Sequence, residues 1–262
     1  MNGYLIVMEG VEGSGKSTQT ELLSNWLRRK QVRVICRAEP TQGPIGKLTR
    51  DILYKRAEVA EEAVPLLFAA DRADDTKRFI TPALDSGAIV IVDRYTYSSL
   101  AYQGSGMMMP FDLRWLEEIN AYAVQPDIVF YLDIDPEVGL GRISGAQRLH
   151  DDAFFEDVNR QRRIREAYLR ILGLNKQSSI LKKLETNGIP AGLLNSVKIS
   201  MIGRKTLVVG LDSIEPKETV HEQVRAFVEW LVSPRKGSTR RQHLPPPGVT
   251  PLSQFSRCNE SE

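Results

Sequence analysis

This sequence has few cysteines, little excess of charge of one sign and no long apolar runs. Its two cysteines, Cys36 and Cys258, lie far apart in a chain of 262 residues. This indicates reduced thiols and excludes both a disulfide framework and a cysteine-based metal site. The 35 basic and 33 acidic side chains leave a net charge of only +2, so neither nucleic acid nor an anionic membrane is expected as a main partner.

No apolar stretch reaches the roughly 18 residues that a membrane-spanning helix needs. The first apolar run begins at Leu5, which leaves no room before it for a signal peptide. We therefore expect a cytoplasmic protein. The hydrophobic fraction of 42% is ordinary for a globular protein, and the length predicts one main domain.

The strongest motif directly follows that first apolar run. It reads Gly10-x-x-x-x-Gly15-Lys16-Ser17, the pattern of a phosphate-binding loop between a strand and a helix. Its glycines let backbone N–H groups turn toward phosphate oxygens, and the helix N-terminus adds its positive dipole end. Lys16 would reach the β- and γ-phosphates, and the Ser17 hydroxyl would hold Mg²⁺. The alternative is a glycine-rich turn that happens to contain a lysine. The residues predicted to bind ATP are Gly10, Val11, Glu12, Gly13, Ser14, Gly15, Lys16, Ser17 and Thr18.

Beyond this loop, apolar patterns alternate between strand and helix. Helices are predicted just after the loop and over residues 45–53, 61–79 and 112–123; strands are predicted over residues 5–8, 32–36, 89–92, 128–132 and 206–209. Short all-apolar runs are typical of parallel strands buried on both faces. The order predicts an α/β fold with a five-stranded parallel sheet covered by helices on both faces, and ligands at the carboxyl ends of the strands.

Two segments depart from this alternation. Residues of about 174–205 have a mixed pattern that predicts an insertion on the main domain, which spans residues 1–232. Residues 233–262 are rich in proline and basic side chains. Such a composition cannot form a packed core and predicts a disordered tail.

An acidic and a basic residue follow the third predicted strand. Asp93 can hold a Mg²⁺-bound water near Ser17, and Arg94 can bind a second anion. The alternative is that Asp93 caps the next helix while Arg94 forms a surface ion pair. The position of both residues at the carboxyl end of a strand favours the site.

Other candidates are ambiguous from their pattern alone. Phe68 and Arg72 stand four residues apart on one predicted helical face, which suits stacking on a base and bonding to its edge. By spacing alone, however, Phe68 is more typical of a core and Arg50 of a solvated surface. Residues of about 139–156 combine glycines with Arg142 and Arg148 and are predicted to close as a lid over the transferring phosphate.

Taken together, these motifs resemble the thymidylate kinases of the nucleoside monophosphate kinase group. The motifs that match, in the family's order, are Glu39-Pro40 and residues 68–72, 93–95 and 98–103. The segment 39–48 is especially similar to archaeal members, and the resemblance covers residues 3–172 and 206–232. It implies the three-layer P-loop kinase fold, ATP and dTMP as substrates, Mg²⁺ as cofactor and a homodimer.

The resemblance also implies roles for individual side chains. The base would stack on Phe68, Arg72 would bond its carbonyl, and Arg50 with Arg94 would hold the monophosphate. Glu12 would contact the deoxyribose 3′-hydroxyl, and Tyr102 would disfavour a ribose 2′-hydroxyl. The acceptor residues implied in this way are Glu12, Glu39, Arg50, Phe68, Arg72, Arg94, Ser98, Ser99, Tyr102 and Gln103.

Members of this family carry the arginine that stabilises the transition state either in the P-loop or in the lid. Gly13 occupies the loop position here, so the resemblance implies that Arg142 and Arg148 act with Lys16 and Arg94 as catalytic residues. The expected reaction is phosphorylation of dTMP to dTDP by Mg-ATP, for dTTP synthesis. Two alternatives stay open: a kinase for another deoxynucleotide or deoxynucleoside, with a different acceptor pocket, and a noncatalytic ATP-binding P-loop module without acceptor arginines.

Overall fold

The computed structural model describes residues 3–105, 110–144, 157–175, 184–185, 189–203 and 205–233. The strands are β1 (Tyr4–Glu9), β2 (Val34–Ala38), β3 (Ile89–Asp93), β4 (Ile128–Asp133), β5 (Lys198–Ile202) and β6 (Thr206–Asp212). The main helices are α1 (Lys16–Arg29), α2 (Pro44–Leu53), α3 (Ala63–Asp75), α4 (Thr81–Asp85), α5 (Thr96–Gly104), α6 (Leu113–Ile119), α7 (Pro136–Ser144), α8 (Val158–Ile171), α9 (Ala191–Asn195) and α10 (Lys217–Val232), and a π-helical turn (Thr76–Ile80) joins α3 to α4.

All these strands form one sheet in the order β2-β3-β1-β4-β6-β5. Strand β1 lies at its centre and pairs in parallel with β3 and β4, while β2 and β6 extend the parallel part on either side. Strand β5 closes one edge in the antiparallel direction. The predicted α/β architecture is confirmed, with six strands in place of five.

The central strands are apolar on both faces because helices cover both. From β1, Leu5 and Val7 belong to a core that includes Tyr168 of α8. The alternate residues Ile6 and Met8 point into a second core with α1 and α10. An uninterrupted apolar run is therefore what a strand between two helical layers requires.

Part of the segment predicted as an insertion, residues 174–205, belongs to the sheet. Strand β5 pairs with β6 so that Ile199 lies opposite Val209 and Met201 opposite Leu207. Gly203, with a φ of 59°, lies in the short connection between the two strands. Ile199 and Met201 alternate as a strand requires, but the surrounding polar and glycine-containing sequence hides this short pattern.

Several predicted features lie outside the described residues. These are the tail beyond residue 233 and most of the predicted lid, including Arg148. None of the helices in the described part of the chain is long and apolar enough to span a membrane.

The topology brings three loops to one edge of the sheet. The P-loop follows β1, Arg94 follows β3, and α7 follows β4. Because β1 lies between the other two strands and Met8 is in register with Asp93, the carboxyl ends of all three converge. This is the edge at which open parallel sheets bind ligands.

Candidate active site

A cavity of about 870 Å³ opens at this edge of the sheet. It brings together residues from the P-loop, from α2, α3 and α5, and from α7. The predicted site residues that line it are Glu12, Gly13, Ser14, Gly15, Lys16, Ser17, Thr18, Glu39, Arg50, Phe68, Arg72, Asp93, Arg94, Ser98, Ser99, Tyr102, Gln103 and Arg142. Gly10 and Val11 of the P-loop are not among the lining residues, but their carbonyl oxygens accept hydrogen bonds from Lys16.

The P-loop presents an uncapped helix N-terminus to this cavity. Gly15 precedes α1 with a φ of 90°, and no side chain caps the helix. The first N–H groups of a helix lack intrahelical acceptors, and together with the helix dipole they favour an anion. The predicted strand, loop and helix are all present, so the motif is in the context that phosphate binding requires.

The Lys16 ammonium, which is expected to bind the phosphates, is itself buried against the P-loop. Its Nζ donates hydrogen bonds to the carbonyl oxygens of Gly10 at 3.0 Å and Val11 at 2.8 Å, and it lies 3.4 Å from the Ser14 hydroxyl. Burial, together with the nearby positive charge of Arg94, lowers the pKa of Lys16 to about 8. An incoming phosphate would restore the preference for the charged form.

Ser17 and Asp93 meet where the P-loop helix passes the end of β3. The Ser17 hydroxyl donates a hydrogen bond of 2.7 Å to the Asp93 carboxylate. Asp93 does not cap α5, because the N-cap residue of that helix is Tyr95 and the Asp93 carboxylate bonds Ser17 instead, so that alternative is wrong. A hydroxyl and a carboxylate oxygen side by side suit a hard cation such as Mg²⁺.

Arg94 points into the cavity and pairs with the P-loop. Its Nη2 donates to Glu12 Oε1 at 2.5 Å, and its Nη1 donates to the Tyr102 hydroxyl at 3.1 Å. The Arg94 side chain is only 19% exposed, so the alternative of a surface ion pair is also wrong. Although burial alone would raise the pKa of Glu12, the charges of Arg94 and Lys16 bring it below its ordinary value.

Another part of the cavity lining contains a buried ion pair. Arg72 donates from Nε and Nη2 to the Glu39 carboxylate, at 2.9 Å and 2.5 Å respectively, and also bonds the Ser99 hydroxyl at 3.2 Å. Both partners are nearly inaccessible to solvent. Burial raises the pKa of Glu39 to about 7, against the opposing effect of the Arg72 charge.

Phe68 and Arg50 are not where their patterns alone would place them. Phe68 is half-buried, lines the cavity and lies outside both hydrophobic cores. Arg50 is also half-buried and donates to the backbone carbonyls of Pro40 and Thr41 beside the cavity. Gln103 is buried in the same cavity lining, and its Oε1 has no hydrogen-bond partner in the described part of the chain. A ligand N–H or hydroxyl group would satisfy it.

Helix α7, which includes the first residues of the predicted lid, approaches the P-loop through glycines. Arg142 of α7 lines the cavity and donates a 2.8 Å hydrogen bond to the Ser213 carbonyl oxygen. A Cβ atom on Gly13, whose φ is 69°, would lie 1.9 Å from the Gly139 carbonyl oxygen. The loop and α7 can therefore be this close only with glycine at position 13.

Gly13→Ala is expected to push α7 away from the P-loop. The combined cost of a left-handed backbone and a backbone clash is about 1–3 kcal/mol, so we expect a lower thermal midpoint and slower turnover. Gly141→Ala on the same helix is the matched control, because a Cβ there meets nothing within 4 Å. Thermal unfolding and steady-state kinetics check the pair, and equal effects of the two substitutions would contradict the close approach.

One buried carboxylate beside this site could not be recognised from the sequence pattern. Glu9, the last residue of β1, is fully buried and bonds to α5 and to Tyr168 of α8. The only sequence signal was its position at the end of an apolar run. In a parallel sheet with both faces covered, a side chain at that position is buried whichever face it points to.

Comparisons with known proteins agree with the resemblance inferred from the motifs. The family model described as thymidylate kinase matches residues 8–187. A protein of Pyrococcus horikoshii named "Probable thymidylate kinase" is 39% identical over 209 residues, which cover 78% of this chain and 100% of that protein. One of the same name from Thermococcus kodakarensis is 36% identical, over 87% of this chain and 98% of its own. A thymidylate kinase of Clavibacter michiganensis is 38% identical, over 66% of this chain and 83% of its own. The chain belongs to the thymidylate kinase family.

Proposed function

We propose that this chain transfers the γ-phosphoryl group of ATP to dTMP, giving dTDP and ADP. The observation that carries the proposal is a single cavity that is lined by the P-loop together with Arg94, Arg50 and Phe68. Two adjacent sites, each able to hold a phosphate and one of them with an aromatic face, suit transfer between two nucleotides. Family membership supplies the identity of the acceptor base.

The reaction needs no general base. The second pKa of a phosphate monoester lies near ~6, so the acceptor phosphate is largely dianionic at neutral pH. One of its oxygens attacks the γ-phosphorus, the bond to the oxygen bridging the β- and γ-phosphates breaks, and ADP leaves. The protein positions the two nucleotides and stabilises the charge that they bring together.

Different residues of the cavity lining suit the two substrates. Lys16 and the N–H groups of the P-loop hold the donor phosphates. Arg94 and Arg50 hold the acceptor phosphate, Phe68 stacks on its base, and Arg72 bonds the edge of that base. The other acceptor contacts that we propose come from Glu12, Glu39, Ser98, Ser99, Tyr102 and Gln103.

We propose that Ser17 binds Mg²⁺ directly and that Asp93 does so through a water. When bound, this ion neutralises charge on the donor phosphates. Among the described residues no cluster of three or more His, Cys, Asp or Glu could hold a metal. A site with one hydroxyl and one carboxylate fits Mg²⁺, which keeps several waters and binds substrate phosphates.

An ADP-release assay across several acceptors tests the proposal. The acceptors are dTMP, dUMP, UMP, CMP and thymidine, each with Mg-ATP, and dTMP should give the highest kcat/KM. Preference for another acceptor would favour a different nucleotide or nucleoside kinase. Absence of stimulation by every acceptor would favour a noncatalytic ATP-binding module.

The lid assignment predicts a specific kinetic effect of Arg142→Ala. Removing a cation that acts mainly in the transition state should lower kcat about 10- to 100-fold, with the KM for dTMP unchanged within about twofold. Arg148→Ala should behave in the same way. Arg162→Ala is the control, since this exposed arginine of α8 pairs only at the surface, with Glu137 of α7. Native turnover in both lid variants would show that the arginine comes from elsewhere.

Assembly and location are proposed by analogy with the family. We propose a cytoplasmic homodimer that binds neither nucleic acid nor membranes. Sedimentation velocity at several protein concentrations tests the dimer, and a single species with the mass of one chain at all of them would contradict it.

A further inference from the structure

The buried Glu9 carboxylate has a hydrogen-bond pattern that the reaction itself does not use. Its Oε1 accepts from the backbone N–H groups of Tyr95 at 3.0 Å and Ser98 at 3.1 Å. Its Oε2 lies 2.6 Å from the Ser98 hydroxyl and 2.9 Å from the Tyr168 hydroxyl. Four donors from two other elements therefore surround one side chain that is 0% exposed.

The two backbone contacts make Glu9 a cap for helix α5. Tyr95 is the N-cap residue of α5, and no side chain of its own segment caps the helix. Ser98 is the third residue of the helix, and its N–H is shared between the Tyr95 carbonyl oxygen and Glu9 Oε1, each at 3.1 Å. A neighbouring strand thus supplies the oxygen that a local Ser, Thr or Asp usually supplies. A carboxylate at this position also has a favourable interaction with the helix dipole.

The residue just before this cap is Arg94, and its backbone is strained. Its φ of 67° lies in the left-handed region, which costs a non-glycine residue about 1–3 kcal/mol and persists only where surrounding structure enforces it. Its N–H bonds the Met8 carbonyl oxygen at 3.0 Å, and residue 95 is fixed by Glu9. Arg94 is therefore held on both sides by the end of β1.

Holding the backbone in this way determines where the guanidinium lies. From the left-handed position, Arg94 reaches Glu12 at 2.5 Å and the Tyr102 hydroxyl at 3.1 Å. Tyr102 belongs to α5, the helix that Glu9 caps. If α5 shifted, both the backbone and one partner of Arg94 would move, and the arginine would no longer point at the acceptor phosphate.

We propose that Glu9 is a positioning residue, which caps α5 from β1 and thereby holds Arg94 in the geometry that binds the acceptor phosphate. The decisive feature is the reach of Oε1 to the N–H groups of residues 95 and 98. The inference rests on the proposed function, because Arg94 has this task only if the acceptor is a phosphate ester.

Two substitutions distinguish the effect of the length of the Glu9 side chain from the effect of its charge. Glu9→Asp keeps the carboxylate but shortens the side chain by one methylene, so its oxygen withdraws from the two N–H groups. A displacement of about 1 Å in a positioned group can cost up to about 100-fold, and we expect kcat/KM for dTMP to fall at least about 10-fold. Glu9→Gln keeps the length and the accepting Oε1, so we expect a fall of no more than about threefold.

A double-mutant cycle with Arg94→Ala distinguishes positioning from general stability. If Glu9 acts through Arg94, Glu9→Asp should change kcat/KM for dTMP by less than about twofold once Arg94 is absent, whereas independent effects would multiply. The KM for ATP should stay within about twofold in the single variants. Circular dichroism and thermal midpoints verify that each variant is folded.

Asp133→Asn is the matched control, because this residue also ends a strand and its carboxylate bonds Arg165 at 2.7 Å, away from Arg94. It should leave kcat/KM for dTMP within about twofold.

Multiplicative losses in the cycle would overturn the proposal. If Glu9→Asp does not fold, Glu9→Gln decides alone, and a loss above about threefold in that variant would overturn the role of reach. Failure of the wild-type chain to phosphorylate dTMP would instead refute the proposed function itself.

Discussion

Lys16→Met is expected to lower kcat about 100- to 1,000-fold while the protein stays folded. Removing one preorganised group that stabilises charge in the transition state costs this much in other enzymes. Methionine fills a similar volume but cannot donate to the carbonyls of Gly10 and Val11, which Lys16 now bonds at 3.0 Å and 2.8 Å. Steady-state kinetics with saturating dTMP, together with circular dichroism, checks the result.

Lys30→Met is the control for this substitution. Lys30 is exposed and forms a surface ion pair with Glu229, an interaction worth about 1 kcal/mol or less. We expect its kcat to stay within about twofold of the wild type. If Lys16→Met were as active as Lys30→Met, Lys16 would have no role in the mechanism.

The lowered pKa of Lys16 adds a pH dependence to the same prediction. Its pKa is about 8 in the nucleotide-free protein, so the ammonium loses its proton as the pH rises through that value. The charged form binds phosphate more strongly, and the affinity for ATP should therefore fall above a pH of about 8. Isothermal titration calorimetry in buffers of different ionisation enthalpy should detect proton uptake on ATP binding in this range. Lys16→Met should show no such uptake.

The second large effect is expected from the buried pair of Glu39 and Arg72. Glu39→Leu should lower the free energy of unfolding by about 3–5 kcal/mol, because it leaves the Arg72 guanidinium buried without its carboxylate. Arg72→Met should cost less, about 1–3 kcal/mol, because the remaining acid can be protonated and so avoid a buried charge. Urea unfolding monitored by fluorescence measures both differences.

The pH dependence of Arg72→Met follows from the raised pKa of Glu39. In the wild type that pKa is about 7 in the folded state and near ~4.3 when unfolded. Between these two pH values Glu39 is protonated in the folded state but ionised in the unfolded state. Its contribution to stability therefore falls as the pH rises through that window. Without Arg72 the pKa of Glu39 rises further, so the variant should lose more stability than the wild type between pH 6 and pH 8. A pH-independent difference between the two proteins would contradict this explanation.

The P-loop and the order of the elements could be predicted because their signals are local. Four apolar residues, the spaced glycines and Lys16 are contiguous, and each acts through its own backbone. The edge strand β5 was missed because its pattern is five residues long and lies in polar surroundings. Short strands of this kind are recognised by their partner, here β6, and a partner is not visible in a local window.

The side chains of the site were predictable to different degrees for a similar reason. Helical spacing alone favoured a core position for Phe68 and a solvated one for Arg50, and only the family resemblance placed them at the acceptor. Their place in the cavity depends on how α2 packs against α3 and how α3 packs against α5 and α6, which spacing does not specify. Glu9 went unrecognised because its four donors come from residues 95, 98 and 168, all distant in sequence.

Transfer of label from γ-³²P-ATP tests the central claim most directly. The purified chain is incubated with Mg²⁺, labelled ATP and dTMP, and the products are separated by thin-layer chromatography. We expect that the label moves to dTDP, that little of it appears as inorganic phosphate, and that Arg94→Ala abolishes most of the transfer. The proposed function would be contradicted if the label appeared only as inorganic phosphate, or if no label left ATP while dTMP was present.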